Sequence, residues 1–392
     1  MDNSTKSDAP AEPIALTAGQ VEKASGDNGF AFKIFKEVSK LNGSNTFFSP
    51  LSLNAALGML YNGASGETRA EMAEALGMTD FTDTEINEYY QKMLQALLKI
   101  DPNTDIGIAN SIWYRTRLPV KQSFIDVNRN FFEAEVKPLD FNSSDAANVI
   151  NKWCADKTNN RIKEIIESTS SDDMMYLINA LYFKSKWQFK FDKNQSKQDD
   201  FTKIDNQKVK VNMMEQTTTL SYYADQRLQC VEMPCGNQAF GMIVVLPVNE
   251  TDINRLIENL DDVAWQKIVD NLWKENVRVK LPRFKIECDF DLKDPVRNVG
   301  IQKIFSGGLE NISDLDLLVS KIKQKTFIEV NEEGAEAAAV TAIGITLGSG
   351  TGGGVSPIVP IQFFVNRPFL YLIKEKSTGV ILFIGRMDEP KE

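Results

Sequence analysis

The chain of 392 residues contains no histidine. That absence removes histidine triads and dyads, imidazole general bases and histidine-ligated metal sites together. Cysteine is scarce: Cys154, Cys230, Cys235 and Cys288 are too few for a disulfide scaffold. Cys230 and Cys235 fall in an extended run, where they point to opposite faces roughly 17 Å apart, so all four are expected to be unpaired structural thiols. No apolar run approaches the roughly 18 residues of a membrane span. Positive charge is the minority sign, 44 Lys and Arg against 54 Asp and Glu, which leaves a net charge of −10. An acidic surface is a poor partner for nucleic acid or an anionic membrane. Lys92 and Lys99 alone do not make a polyanion-binding helix face. Residues 1–26 lack the apolar centre of a signal peptide and read as a disordered polar leader.

The remaining length suffices for a large core. Helical periodicity dominates the first third. Phe30, Ile34, Phe35 and Val38 form one stripe behind an Asp27-Asn28 start signal, and Ser49-Pro50 opens a second helix with Ser as N-cap and Pro at the first turn. Further helices are predicted over 67–76, stopping at Gly77, over 83–100, and over 146–157 with Val149, Ile150 and Trp153 on the buried side. From Met174 the pattern turns to strands rich in Val, Ile, Phe and Tyr: 177–183, 240–248, 277–290 and 363–387, the last broken by a Lys376-Ser377-Thr378-Gly379 turn. Helices first and strands later, without βαβ alternation, predict an α+β fold with mainly antiparallel sheet. Residues 27–392 read as a single domain.

One stretch fits neither pattern. Residues 332–360 begin charged, become a run of Ala, Val, Thr and Ile, and end in a glycine-rich segment, Gly348 to Gly354. Gly348-Ser-Gly-Thr-Gly-Gly353 matches the letters of a dinucleotide fingerprint, but Gly354-Val-Ser-Pro-Ile-Val-Pro360 cannot open the helix that such a loop needs. Glu332 and Glu333 are adjacent, so on a strand they face opposite ways and suit salt bridges better than paired acid–base work. The informative pattern is period two. Ala335, Ala337, Ala339, Thr341, Ile343 and Ile345 share one small or apolar face, while Glu336 puts the only charge on the other. This segment is competent to be a half-buried strand, yet it leads into glycines whose backbone freedom opposes a fixed strand. That combination suggests two alternative states.

Several blocks resemble one family. Asn331-Glu-Glu-Gly-Ala-Glu-Ala-Ala-Ala-Val-Thr341 is similar to the hinge of the serpins, and Phe363-Phe-Val-Asn-Arg-Pro-Phe-Leu-Tyr-Leu-Ile373 to their C-terminal signature. Phe47-Phe-Ser-Pro-Leu-Ser52, Leu177-Ile-Asn-Ala180 and Phe183-Lys-Ser-Lys-Trp187 resemble further serpin blocks in the right order. The resemblance implies a fold of three β-sheets and eight or nine helices, with an exposed reactive-centre loop at about 332–360. It also implies a mechanism without catalytic residues, cofactor or metal. A target protease cuts the loop, an acyl-enzyme forms, and the freed strand inserts into the central sheet and distorts the protease. The alternative is a non-inhibitory serpin acting as carrier, chaperone or peptide-binding scaffold.

Residue by residue, the resemblance assigns the hinge to Gly334, Ala335, Glu336, Ala337, Ala338 and Ala339. Ser49, Ser52 and Asn179 match the polar cluster where the sheet parts. Trp187 matches the start of insertion, and Arg283 with Glu332 a salt bridge at the loop base. Gln324 stands where most serpins carry histidine, although an amide can also donate and accept. The family's forward count from Gly334 places the reactive bond at Gly348-Ser349, with Leu347-Gly348 as runner-up. The backward count from Asn366 lands nine residues further on, at Pro357, which marks an insertion within the glycine run. No Lys or Arg occurs from Val340 to Gln362, so trypsin-like enzymes are poor targets. Elastase-like proteases are expected first and chymotrypsin- or subtilisin-like ones second, with papain-like cysteine proteases a further class. A monomer that is extracellular or exported is expected, with the cytoplasm left open.

Overall fold

The computed structural model describes residues 10–42, 44–248, 253–335 and 359–392. Its first helix, α1 (Ala18–Asn42), starts well ahead of the expected domain boundary at residue 27. Thr17 Oγ1 accepts from the Gln20 N–H at 3.3 Å while Gln20 Oε1 accepts from the Thr17 N–H at 3.1 Å. This reciprocal capping box fixes the start. Residues 18–26 therefore belong to the folded body rather than to a disordered leader. Asp27, expected as a start signal, lies buried inside the helix and is paired with buried Lys23. Residues 1–9 of the expected leader lie outside the described residues.

Next come β1 (Thr46–Phe48), α2 (Pro50–Tyr61), α3 (Gly66–Ala75), α4 (Asp83–Leu97), β2 (Thr104–Arg115), α5 (Gln122–Phe132), β3 (Glu135–Leu139) and α6 (Ala146–Lys157). The strand-rich part runs β4 (Met175–Lys186), β5 (Lys197–Thr202), β6 (Lys208–Ala224), β7 (Leu228–Cys235), β8 (Phe240–Pro247), α7 (Ile253–Asn259), α8 (Asp262–Asp270), β9 (Trp273–Pro282), β10 (Phe284–Asp291), α9 (Lys293–Asn298) and β11 (Lys321–Val330). The last strands are β12 (Gly334–Ala335), β13 (Ile361–Phe364), β14 (Phe369–Glu375) and β15 (Ile381–Met387). Nine α-helices among the described residues agree with the expected eight or nine.

Among the described residues, hydrogen bonding joins these strands into two networks, which does not conflict with the three sheets expected. A nine-stranded sheet has the order β1-β15-β14-β8-β7-β6-β9-β13, with β5 also on β6. It narrows at β6, which pairs with β7 only over Ser221 to Ala224 but with β9 from Met213 to Tyr222. The six-stranded sheet has the order β10-β11-β4-β2-β3, with β12 on β4. Two of its pairs, β11–β4 and β2–β3, are parallel, while β10–β11, β4–β2 and β12–β4 are antiparallel, in keeping with a mainly antiparallel fold.

Helix α2 is buried along its whole length and packs against β4 and β2 of the smaller sheet and β15 of the larger. Ser49 is its N-cap, accepting from the Ser52 N–H, and Pro50 occupies the first turn, as the sequence predicts. On the opposite face of the smaller sheet, α6 covers β2 and β4. Ala146, Ile150, Trp153 and Cys154 meet Trp113, Ile178 and Ala180 there. Val149, expected on that buried side, is 40% exposed, because the spacing of the four contact residues turns it outward. All four cysteines are free and buried.

Candidate functional site

The middle of the smaller sheet is a parallel seam. β11 and β4 pair in register from Lys321↔Tyr176 to Phe327↔Tyr182. Past that point the strands part and the chain turns back between them. Asn331 and Gly334 exchange backbone hydrogen bonds at 2.9 and 3.2 Å, after which Gly334 and Ala335 pair antiparallel with Lys186 and Ser185. Gly334 adopts φ +141°, and a Cβ there would lie 2.2 Å from the Ser185 carbonyl oxygen. Only glycine fits both the dihedral and the close approach.

Immediately before this glycine the backbone is fastened to the segment that follows β4. Trp187 Nε1 donates to the Asn331 carbonyl at 2.8 Å, the Trp187 N–H to Glu333 O at 2.9 Å, and the Phe191 N–H to Glu332 O at 3.0 Å. Trp187 is itself buried. The two glutamates, both buried, face different partners as their adjacency predicts. Glu332 Oε1 accepts from Arg283 Nε at 2.8 Å and from Ser196 Oγ. Glu333 is held by Lys190 and Lys193, each at 3.0 Å. Burial acts to raise the Glu332 pKa, but the Arg283 and Ser196 hydrogen bonds outweigh it and hold the carboxyl below its ordinary value. Glu333 is lowered as well, by Lys193 and then Lys190, against a smaller effect of burial. Both groups are thus anchoring carboxylates. Sequence reasoning found the Arg283–Glu332 pair but missed Lys190 and Lys193. Their only signal was a local excess of lysine after Trp187.

Lower on the seam sits the second cluster. Gln324 and Asn179 are opposite each other in the β11–β4 register. Gln324 Oε1 accepts from the Ser49 N–H at 2.8 Å, while its Nε2 donates to Ser49 O at 2.9 Å and to Asn179 Oδ1 at 3.1 Å. Asn179 Nδ2 donates to Ser52 Oγ and to Asn110 Oδ1, and Ser49 Oγ donates to Leu382 O at 2.7 Å. Gln324 therefore bridges the N-terminus of α2 to β4, using both functions of its amide. Asn110, on β2, is a member that the sequence did not reveal. A polar network this deep holds strands in place with directional bonds that can be exchanged for others, unlike apolar packing.

The structure thus sorts the sequence-predicted residues into two groups. Ser49, Ser52, Asn179 and Gln324 form the lower cluster; Trp187, Arg283, Glu332 and Gly334 form the upper one. From Asn179 to Trp187 along the strand is roughly 26 Å at about 3.3 Å per residue. Glu336, Ala337, Ala338, Ala339, Leu347, Gly348 and Ser349 lie outside the described residues. Among the described residues no His, Cys, Asp and Glu cluster could hold a metal ion, and no helix is long and apolar enough to cross a membrane.

Comparison with known proteins matches this architecture. The profile of the family described as Serpin (serine protease inhibitor) covers residues 25–390. Iripin-3 of Ixodes ricinus is 35% identical over 356 residues, spanning 88% of this chain and 89% of that protein. Among solved structures, the thermophilic serpin tengpin in its native state aligns with a TM-score of 0.86 at 28% identity, covering 97% of this chain and 96% of tengpin. Human thyroxine-binding globulin complexed with its hormone aligns with a TM-score of 0.87 at 27% identity, covering 96% of this chain and all of that one. With the family profile running almost end to end over a seam, hinge glycine and carboxylate anchors of this geometry, the chain belongs to the serpin family.

Proposed function

We propose that this serpin is an irreversible suicide-substrate inhibitor of serine proteases, not an enzyme, and that it acts by inserting its cleaved loop into the β4–β11 seam. The observation that carries the reading is the register of β12. Gly334↔Lys186 and Ala335↔Ser185 start an antiparallel ladder on β4. Continued one residue at a time, it would set Ala337 opposite Phe183, Ala339 opposite Leu181, Thr341 opposite Asn179, Ile343 opposite Leu177 and Ile345 opposite Met175. Those β4 residues are all buried in the described state. The small and apolar face found in the sequence would then point inward, and the Thr341 hydroxyl would enter the Asn179–Gln324 cluster. Glu336 would fall on the outer face, opposite Lys184.

The energetics favour the same direction. β4 and β11 are parallel, so a strand returning from Gly334 runs antiparallel to both. Insertion exchanges one parallel ladder for two antiparallel ones, and antiparallel pairing is slightly the more stable per residue. At about 0.5–1.5 kcal/mol for each new hydrogen bond, with the apolar face also buried, a gain on the order of 10–20 kcal/mol is available. The reactive bond belongs to this proposal: Gly348-Ser349, with Leu347-Gly348 next. Elastase-like enzymes are the favoured targets, ahead of chymotrypsin- or subtilisin-like ones and papain-like cysteine proteases. We place the protein outside the cell as a monomer that needs no polyanion.

The likeness to thyroxine-binding globulin supports a second reading, a carrier that inhibits nothing. The alanines at 335 and 337–339 count against it, because they leave no bulk or charge to obstruct insertion. Incubation with elastase-, chymotrypsin-, trypsin- and subtilisin-like proteases decides between the two. An SDS-resistant adduct is expected with the first, and its absence across the panel would remove the inhibitory reading. Ala337→Arg should turn the inhibitor into a substrate, since an inward charge opposite Phe183 costs several kcal/mol. Mass analysis of the released C-terminal peptide should give Ser349 as its first residue.

A further inference from the structure

A cavity of about 170 Å³, lined by none of the seam or hinge residues, lies between the β6–β7 turn, the end of β8 and helices α7 and α8. Its apolar lining comes from Leu228, Leu256, Leu260 and Ile268, of which Leu228, Leu260 and Ile268 are buried. Three cations also line it: Arg227 from the turn, Arg255 from α7 and Lys267 from α8. Among the described residues Asp225 is the one carboxylate in the lining, and it is already engaged. It accepts from the Arg227 and Leu228 N–H groups at 2.7 and 3.0 Å and pairs with the Arg227 guanidinium at 3.3 Å. These bonds hold its pKa below the ordinary value in spite of burial, the largest single influence. Among the described residues neither Arg255 nor Lys267 forms an ion pair.

We propose that this cavity is a binding site for a small amphiphilic carboxylate, a medium-chain or aryl acid whose tail lies on the leucines and whose head meets Arg255 and Lys267. Charge complementarity selects the sign. The chain as a whole carries −10, yet the described residues of this lining gather three cations around one neutralised acid. Shape selects the size, because a space near 170 Å³ takes an eight- to ten-carbon tail or a single substituted ring and little more. An apolar pocket with a few convergent polar groups is also the general form of a small-molecule site. The guanidinium of Arg255 offers the planar fork that suits a carboxylate, and Lys267 adds a movable point charge. The site uses none of the hinge or seam residues, so it stands whether or not the protein inhibits a protease.

Calorimetric titration of the full chain with octanoate tests the proposal, alongside octanol and octylammonium as neutral and cationic probes of the same tail. Octanoate should bind with one-to-one saturation, and the other two should bind at least about tenfold more weakly, the factor expected for losing a charge-assisted contact. Arg255→Gln with Lys267→Gln should weaken octanoate by a similar factor. Both positions are exposed, so the fold should be unaffected. Ala264→Leu, which fills the cavity from α8, should abolish binding. The proposal fails if octanoate does not saturate, if the double variant binds it as the parent does, or if octanol or octylammonium binds equally well.

Discussion

The two sheets hold themselves together by opposite means. In the nine-stranded sheet, β8, β14 and β15 are buried at every residue and pair antiparallel throughout. The Phe47 ring stacks on both Phe383 and Tyr371 behind them. In the smaller sheet, the β4–β11 seam is parallel, and its middle is fastened by the amides of Asn179 and Gln324 and the serines of α2. Apolar close packing resists any separation, because every displaced contact is lost outright. A seam closed by hydrogen bonds can open if an incoming strand offers replacements. The difference marks the seam as the place where the proposed insertion would act without unfolding the molecule.

Substitutions should separate the two regions in order of size. Phe383→Ala removes a ring from the apolar stack and should cost about 3–5 kcal/mol by denaturant unfolding, equally in the intact and the loop-cleaved protein. Equal costs are the essential part, since the proposed insertion adds a strand to the smaller sheet and none to the larger. Gln324→Leu keeps most of the volume but strands the Ser49 N–H and the Asn179 carbonyl oxygen, for a loss of about 1–3 kcal/mol in the intact protein. After cleavage the cost should be smaller, because the Thr341 hydroxyl would arrive at the same place. An equal or larger cost after cleavage would contradict the assigned register.

The smallest effect concerns the carboxylate anchors. Both Glu332 and Glu333 have pKa values lowered in the folded state, so their contribution is present above the ordinary value of 4.5 and is lost as the pH falls below it. The difference in melting temperature between the parent and Glu333→Gln should therefore be present at pH 6 and vanish towards pH 3. A constant difference across that range would mean that the Lys190 and Lys193 contacts do not depend on charge.

Much of this comparison was legible in the sequence, for reasons that differ by region. Ser49-Pro50 announced α2 because capping is local chemistry. The period-two face of 335–345 rests on equally local pattern, and its place opposite β4 belongs to the proposal, since residues 336–345 lie outside the described residues. The start of α1 differs from the sequence expectation: Asp27-Asn28 has the composition of a cap, but Thr17 and Gln20 form the real one, and Asp27 serves a buried ion pair instead. The parallel pairing of β11 with β4 could not be read, because nothing in either strand encodes a partner about 145 residues away. Lys190, Lys193 and Asn110 were missed on the same ground. Their roles exist only once the turn after β4 lies over Glu333 and once β2 lies beside β4.

The most direct test is calorimetry of the protein before and after a single cut within residues 341–350 by a non-target protease. Insertion of the strand from Gly334 into the seam predicts an upward shift of roughly 10 °C or more, from a gain on the order of 10 kcal/mol at about 1 °C per kcal/mol for a chain of this size. A melting transition that stays where it was, with the cut verified by mass, would show that the seam does not accept the strand.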